Sequence, residues 1–152
     1  MNVVVVDTGF ANYHSVIKAV ERAGAARAGL TVERTRDPDR VRAADKLVMP
    51  GQGGFKDCAA AFQDGLGDAI LGSVRAGTPF FGICLGLQVL FEGSEEAPGV
   101  IGLGLFAGSV RHLEPAPGLK IPHMGWNRLE GPTAGAGWSD CARGEWFYFD
   151  HS

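Results

Sequence analysis

Pro79-Phe80-Phe81-Gly82-Ile83-Cys84-Leu85-Gly86-Leu87-Gln88 is the stretch that decides how this chain folds. An apolar run, Pro79 to Ile83, reads as a strand and passes without a loop into a helical stretch from Cys84 to about Phe91. Gly82 and Gly86 bracket the cysteine in a G-x-C-x-G pattern, the cysteine version of a nucleophile elbow. On so tight a turn the residues two before and two after the cysteine come close to one another, and only glycine leaves room. The turn lifts the sulfur above the edge of a sheet. It also sets Cys84 at a helix N-terminus, where unpaired N–H groups favour thiolate over thiol. The N–H of Leu85 then points to where a tetrahedral oxyanion would form.

Upstream, strand and helix signals alternate. Asn2 to Val6 is a β-branched apolar run suited to a strand buried on both faces. Asn12 can cap a helix from Tyr13 to Ala23, whose Val16, Ile17 and Val20 share a face and which Gly24 stops. Leu30 to Thr35 reads as a second strand. Asp37-Pro38 opens a short helix to about Ala44. Lys46 to Met49 is a third strand, and helical pieces follow near Asp57 to Gln63 and Leu66 to Arg75. This alternation predicts an α/β fold, a mostly parallel sheet covered by helices on both sides as a three-layer sandwich. Downstream the pattern changes: Leu103 to Val110, Leu119 to His123, Asn127 to Glu130 and Trp146 to Asp150 read as strands joined by Gly/Pro loops, an antiparallel extension of a single domain spanning 1–152. The aromatic run Trp146-Phe147-Tyr148-Phe149 lies three residues from the chain end, so the expected fold is incomplete at its C-terminus.

Composition narrows the function. Glycine is 23 of 152 residues, roughly double the usual ~7%, without a collagen period. Lys and Arg total 14 against 17 Asp and Glu, a net charge of −3, so no broad basic surface speaks for nucleic acid. Cys58, Cys84 and Cys141 are widely spaced with no C-x-x-C pair, and neither a metal nor another cofactor is expected. No secretory signal or membrane span is visible, and the expected location is cytoplasmic. Cys58 and Cys141, which lack a glycine bracket, read as core residues.

The loop Pro50-Gly51-Gln52-Gly53-Gly54-Phe55 follows the third strand. In an open parallel sheet it shares the carboxyl edge with Cys84, and its glycines let a second backbone N–H turn inward as an oxyanion donor. It is not G-x-G-x-x-G, so no dinucleotide fingerprint is present. Candidate bases are His14, His112, His123 and His151. His112-Leu113-Glu114 reads as a loop pair before Pro115, and His14 lies on the first helix.

Pro50-Gly51-x-Gly53 followed by Gly82-Ile83-Cys84-Leu85-Gly86-Leu87-Gln88 resembles class I (triad) glutamine amidotransferases. Asp7-Thr8-Gly9-Phe10-Ala11-Asn12, Leu90 to Glu96, Gly102-Leu103-Gly104-Leu105, Ile121-Pro122-His123-Met124-Gly125-Trp126-Asn127 and Tyr148 to Ser152 narrow the resemblance to the glutaminase subunits of imidazole glycerol phosphate synthase, in histidine biosynthesis. The resemblance implies a flavodoxin-like three-layer sandwich, and that Cys84 attacks the side-chain amide of L-glutamine, with Gly53 and Leu85 donating to the oxyanion. It implies that Gln88, Glu96, His151 and Ser152 hold glutamine, and that Asn12, Met124, Gly125, Trp126 and Asn127 face a (β/α)₈-barrel cyclase partner in a heterodimer that receives the ammonia. Thr8 stands where the family usually has tyrosine, and Gln52 where its oxyanion loop usually carries a small apolar residue. The family's catalytic His-x-Glu lies beyond the His-Ser pair, and this sequence has no counterpart; His112 and Glu114 match a different family strand. The expectation is a nucleophile without its base and loss of most glutaminase activity. Two other readings stay open on the residues alone: a non-catalytic subunit that keeps the cyclase interface, and another cysteine hydrolase of the same fold.

Overall fold

A computed structural model describes residues 1–130 and 144–152; Cys141 lies outside them. The chain forms two compact units, Met1–Arg111 and His112–Ser152. In the first, strands β1 (Asn2–Val6), β2 (Thr31–Thr35), β3 (Lys46–Gly51) and β4 (Phe80–Cys84) make a parallel sheet in the order β2-β1-β3-β4.

The four valines of β1 explain why the sheet is covered on both sides. Successive side chains of a strand point to opposite faces. Val4 and Val6 join Leu47, Met49, Phe55, Leu66, Ile70 and Leu85 in one core, and Val3 and Val5 join Tyr13 and Val48 in the other. Helix α1 (Tyr13–Ala23) covers the second face with Val16, Ile17 and Val20. The Asn12 side chain accepts the Ser15 N–H at 3.2 Å at its start. At its end the Gly24 N–H donates to the Val20 carbonyl at 3.0 Å. Helix α2 (Pro38–Arg42) begins as expected: the Asp39 N–H donates to the Asp37 carboxylate at 2.9 Å, with Pro38 in the first turn. Helices α3 (Phe55–Ala60) and α4 (Leu66–Arg75) pack on the first face.

Of the boundaries that differ from the sequence reading, four have a non-local reason. β3 does not stop at Met49 but runs through Pro50 and Gly51, which pair with Ile83 and Cys84. Leu47 donates toward β4, to the Pro79 carbonyl at 2.9 Å. Alternation therefore turns the missing N–H of Pro50 toward β1, whose pairing with β3 has already ended at Val48, and the proline costs the ladder nothing. α3 starts at Phe55 rather than Asp57, because Glu96, 41 residues on, accepts the Phe55 N–H through Oε1 at 3.3 Å. Helix α5 covers only Leu85–Gln88, not Cys84 to Phe91. The Val89, Leu90, Phe91 and Glu92 carbonyls are taken by the N–H groups of Leu103, Phe106, Gly104 and Gly102, which pulls the chain out of the helix. Strand β5 (Phe91–Ser94) results, parallel to β6 (Phe106–Val110), and β6 starts later than the expected Leu103 because Leu103 and Gly104 are occupied in that crossing.

The strand expected at Leu103 to Val110 in an antiparallel extension therefore pairs in parallel instead, with β5, and the antiparallel pairing lies in the second unit. β7 (His123–Arg128) pairs with β8 (Trp146–His151) in a two-stranded sheet of its own, with His123 opposite His151 and Arg128 opposite Trp146. One strand thus replaces the two expected at Leu119 to His123 and Asn127 to Glu130, since β8 supplies partners only for His123 to Arg128. His123, Gly125 and Asn127 share a face with Phe147, Phe149 and His151; Met124, Trp126 and Arg128 share the other with Trp146, Tyr148 and Asp150. Among the described residues no helix is long and apolar enough to cross a membrane.

Candidate active site

The parallel strands of the first unit end together, and their carboxyl ends carry Asp7-Thr8, Gly51 and Cys84. This is the edge where open α/β sheets bind ligands. Cys84 is exposed there, at φ 55° and ψ −119°, immediately before α5. Few non-glycine residues adopt a positive φ, and holding one there costs of order 1–3 kcal/mol.

Backbone packing enforces the strained corner. A Cβ on Gly82 would lie 2.6 Å from the Gly86 carbonyl oxygen, and one on Gly86 would lie 1.7 Å from the carbonyl oxygen of Met49 in β3. A Cβ on Gly51 would lie 2.6 Å from Leu85 Cβ and 2.7 Å from Gly86 N. The glycine bracket was legible in the sequence; the approach of Gly86 to β3 was not, because it needs the register Gly51↔Cys84. Leu85, 2% exposed, anchors the turn in the core beside Phe55 and Met49.

The Gly51–Gly54 loop is fixed at both ends. The Gln52 N–H donates to the Phe10 carbonyl at 2.8 Å, which ties the loop to the segment after β1. Glu96 Oε1 accepts from Phe55 and lies 3.5 Å from the position of a Cβ on Gly54. Gly53 has φ +97°, a conformation open to glycine, with nothing crowding its α-carbon. Two residues singled out for substrate thus belong to the immediate frame of the corner: Gln88 ends α5, one turn after Cys84, and Glu96 holds the loop that carries Gly53.

The sequence reading missed a buried polar group at the end of β1. Thr8 is 2% exposed; its N–H donates to the Tyr13 hydroxyl at 3.0 Å, and its own hydroxyl is 3.3 Å from the same oxygen. The Arg34 guanidinium lies 3.8 Å over the Tyr13 ring and pairs with Asp7 at 2.8 Å. Partial burial pushes the Asp7 carboxyl up, but hydrogen bonds from the Gly9 N–H, Tyr13 and Arg34, with the charge of Arg34, outweigh it and leave the group below its ordinary value. Burial pushes the Tyr13 hydroxyl up. The signal available in sequence was the departure at Thr8 itself.

The other thiol of this unit is of a different kind. Cys58 is 1% exposed, and burial pushes its thiol up to about 11. It stays protonated and packed, as a core cysteine does. His14, the one histidine of the first unit, sits exposed on α1. Asn12 is exposed and caps α1.

The remaining candidates lie in the second unit. Met124 and Trp126 are 59% and 64% exposed on one face of the β7–β8 ribbon, with Trp126 edge-on to Tyr148. Gly125 and Asn127 lie on the opposite face, with His151; Ser152 follows, exposed. His112 and Glu114 belong to no helix or strand, as expected of a loop pair. Among the described residues no cluster of three or more His, Cys, Asp or Glu side chains is placed to hold a metal ion.

Residues 4–133 match the family described as glutamine amidotransferase class-I. The chain is 47% identical over 99% of its length to the imidazole glycerol phosphate synthase subunit HisH of Gloeobacter violaceus, and spans 65% of that protein. It is 50% identical over 84% of its length to HisH of Deinococcus radiodurans, covering 58% of it, and 43% identical over its full length to HisH of Neisseria meningitidis serogroup B, covering 74%. The chain therefore spans about three-fifths to three-quarters of the length of these curated relatives. With a cysteine elbow at the carboxyl edge of a parallel sheet and a glycine loop packed against it, the chain belongs to the class I glutamine amidotransferases, among the relatives named HisH.

Proposed function

We propose that this chain carries the nucleophile side of a glutaminase site, and that the whole protein releases ammonia from L-glutamine for a cyclase subunit of an imidazole glycerol phosphate synthase. The observation that carries the reading is the exposed Cys84 on its strained corner, backed by main chain from β3. The Cys84 thiolate adds to the carboxamide carbon of glutamine, and the carbonyl oxygen takes the negative charge. The N–H groups of Leu85 and Gly53 stabilise that charge. Collapse of the adduct breaks the C–N bond; the nitrogen leaves as ammonia after taking a proton from water, the hydroxide so formed being neutralised by the acid released when the remaining thioester is hydrolysed. Water then splits the thioester to glutamate and restores the thiol. Gln88, Glu96, His151 and Ser152 are proposed to hold glutamine, with Glu96 acting also on the loop that presents Gly53.

The relatives are each named a subunit of imidazole glycerol phosphate synthase, which supports assembly with a partner subunit as a heterodimer; the reading adds that ammonia passes directly to that partner. Ammonia that escapes into water becomes ammonium, which is not nucleophilic, so a dry passage preserves its reactivity. Asn12, Met124, Gly125, Trp126 and Asn127 are proposed to face that partner, a (β/α)₈ barrel, and the complex is proposed to work in the cytoplasm. The exposed Met124 and Trp126 suit an interface better than a solvated surface.

An electrophilic glutamine analogue tests the nucleophile without requiring turnover. A diazoketone analogue is expected to add once per chain, at Cys84, with glutamine slowing the reaction, and to leave Cys84→Ala unlabelled by intact mass. Iodoacetamide reports general thiol access in parallel. Labelling that is equal in wild type and Cys84→Ala, or that glutamine does not slow, would overturn the reading.

A further inference from the structure

One face of the β7–β8 ribbon carries a side-chain cluster whose geometry the glutaminase reading leaves unexplained, although that reading also draws on His151 and Asn127. His123 and His151 stand directly opposite each other, and His123 Nδ1 lies 2.9 Å from His151 Nε2. The other ring nitrogen of His123, Nε2, lies 2.7 Å from the Asn127 side-chain amide, two residues along the same face. The Phe149 ring stacks on His123 at 4.8 Å between centroids, which fixes the imidazole plane. Both histidines line a cavity of about 900 Å³ within this unit, together with Glu114, Lys120 and Met124.

Two imidazole nitrogens that face each other at this distance need something between them. A proton supplies it, in a direction the tautomers set: when the Asn127 amide donates to Nε2, Nδ1–H donates to His151 Nε2. Turning the Asn127 amide over presents its oxygen instead. The His123 proton then sits on Nε2, bonded to that oxygen, and the Nδ1 lone pair joins that of His151 Nε2. No net proton or electron is gained or lost in the exchange. An imidazole whose far N–H is held by an amide or carboxylate oxygen is the usual form of a metal-binding histidine.

We propose that His123 and His151 chelate a late divalent transition metal, Cu²⁺ or Ni²⁺, across β7 and β8, with Asn127 as the positioning residue. The spacing selects the metal. With metal–nitrogen bonds of ~2.0–2.1 Å, nitrogens 2.9 Å apart subtend about 90° at the ion. That is the angle between adjacent ligands in square-planar and octahedral sites, which Cu²⁺ and Ni²⁺ favour. A tetrahedral Zn²⁺ site needs the nitrogens roughly 3.3–3.4 Å apart. Two protein ligands leave the remaining positions to water, which the open cavity admits. Glu114 and Lys120 line the same cavity, and among the described residues no third His, Cys, Asp or Glu side chain joins the pair at the ion. The bound metal would pin one strand of the ribbon to the other.

The test is titration of the full chain with NiCl₂ at slightly alkaline pH, with the copper complex read by electron paramagnetic resonance. One nickel ion per chain is expected, bound more tightly than zinc, with nitrogen hyperfine structure from two imidazoles in the copper spectrum. His123→Gln and His151→Gln are each expected to weaken nickel binding at least tenfold, and Asn127→Ala by a similar factor. The double variant His14→Gln/His112→Gln is expected to bind like wild type. Circular dichroism confirms that each variant keeps its fold, and the two-nitrogen copper signal gives a readout that needs no variant. Nickel affinity unchanged in both single variants, a copper spectrum with one nitrogen or none, or no binding at millimolar nickel would each overturn the proposal.

Discussion

Replacing Cys84 by glycine is expected to stabilise the protein relative to replacing it by alanine. Both variants lose the sulfur, so nucleophile chemistry is absent from the comparison. They differ in the Cβ, which alanine must hold at φ 55° and ψ −119°. A non-glycine residue in such a region costs of order 1–3 kcal/mol, and glycine carries no such cost. Against this, glycine loosens the unfolded chain by about 0.4–1 kcal/mol. Cys84 is exposed, so little packing distinguishes the two variants. Taking mid-range values, glycine is favoured by ~1.3 kcal/mol, roughly 3–5 °C in Tm for a domain of this size. Thermal melts and urea titrations followed at 222 nm measure the difference directly. A Cys84→Ala protein as stable as Cys84→Gly, or more so, would show that the corner stores no strain and would remove the reason for the cysteine's exposed, uplifted position.

Two further outcomes follow from packing and from titration. Gly86→Ala, whose Cβ would sit 1.7 Å from a main-chain oxygen, is expected to cost at least ~3 kcal/mol or to prevent folding. Gly72→Ala, in α4 with open space around it, is expected to gain about 0.5–1 kcal/mol, and urea midpoints rank the two. The Cys58 thiol, ordinarily near 9, is pushed by burial to about 11 in the folded protein. Between those values the unfolded state binds fewer protons than the folded one. Stability is therefore full below pH 9 and falls toward 11, at up to ~1.4 kcal/mol per pH unit. Tyr13, also raised by burial, adds the same sign at higher pH. The slope of urea midpoints above pH 9 is expected to shrink in Cys58→Ala; an unchanged slope would exclude Cys58 as its source.

Where structure is decided within a few residues, the sequence could be read closely. The β1 valines, the Asn12 cap, Asp37-Pro38 and the glycine-bracketed Cys84 each state a local preference that the fold keeps. The largest misplacements depend on partners far along the chain. α3 is started by Glu96, α5 is ended by the crossing of Gly102 to Phe106, and β7 is defined by the reach of β8. None of these pairings leaves a mark in a short window of sequence. The same holds within the site. Gly53 and Leu85 are proposed as oxyanion donors on the family resemblance, whereas the hold of Glu96 on the loop and the buried Thr8–Tyr13–Asp7–Arg34 group required the sheet to be assembled first.

The contact between Gly86 and the Met49 carbonyl reaches beyond stability. The height and direction of the Cys84 sulfur are set where one stretch of peptide bonds rests on another, with no side chain as intermediary. Residues around the rim are therefore free to vary in size and charge, altering which molecule is admitted, while the reactive atom keeps its place. Selection can retune recognition at such a corner without having to rediscover reactivity.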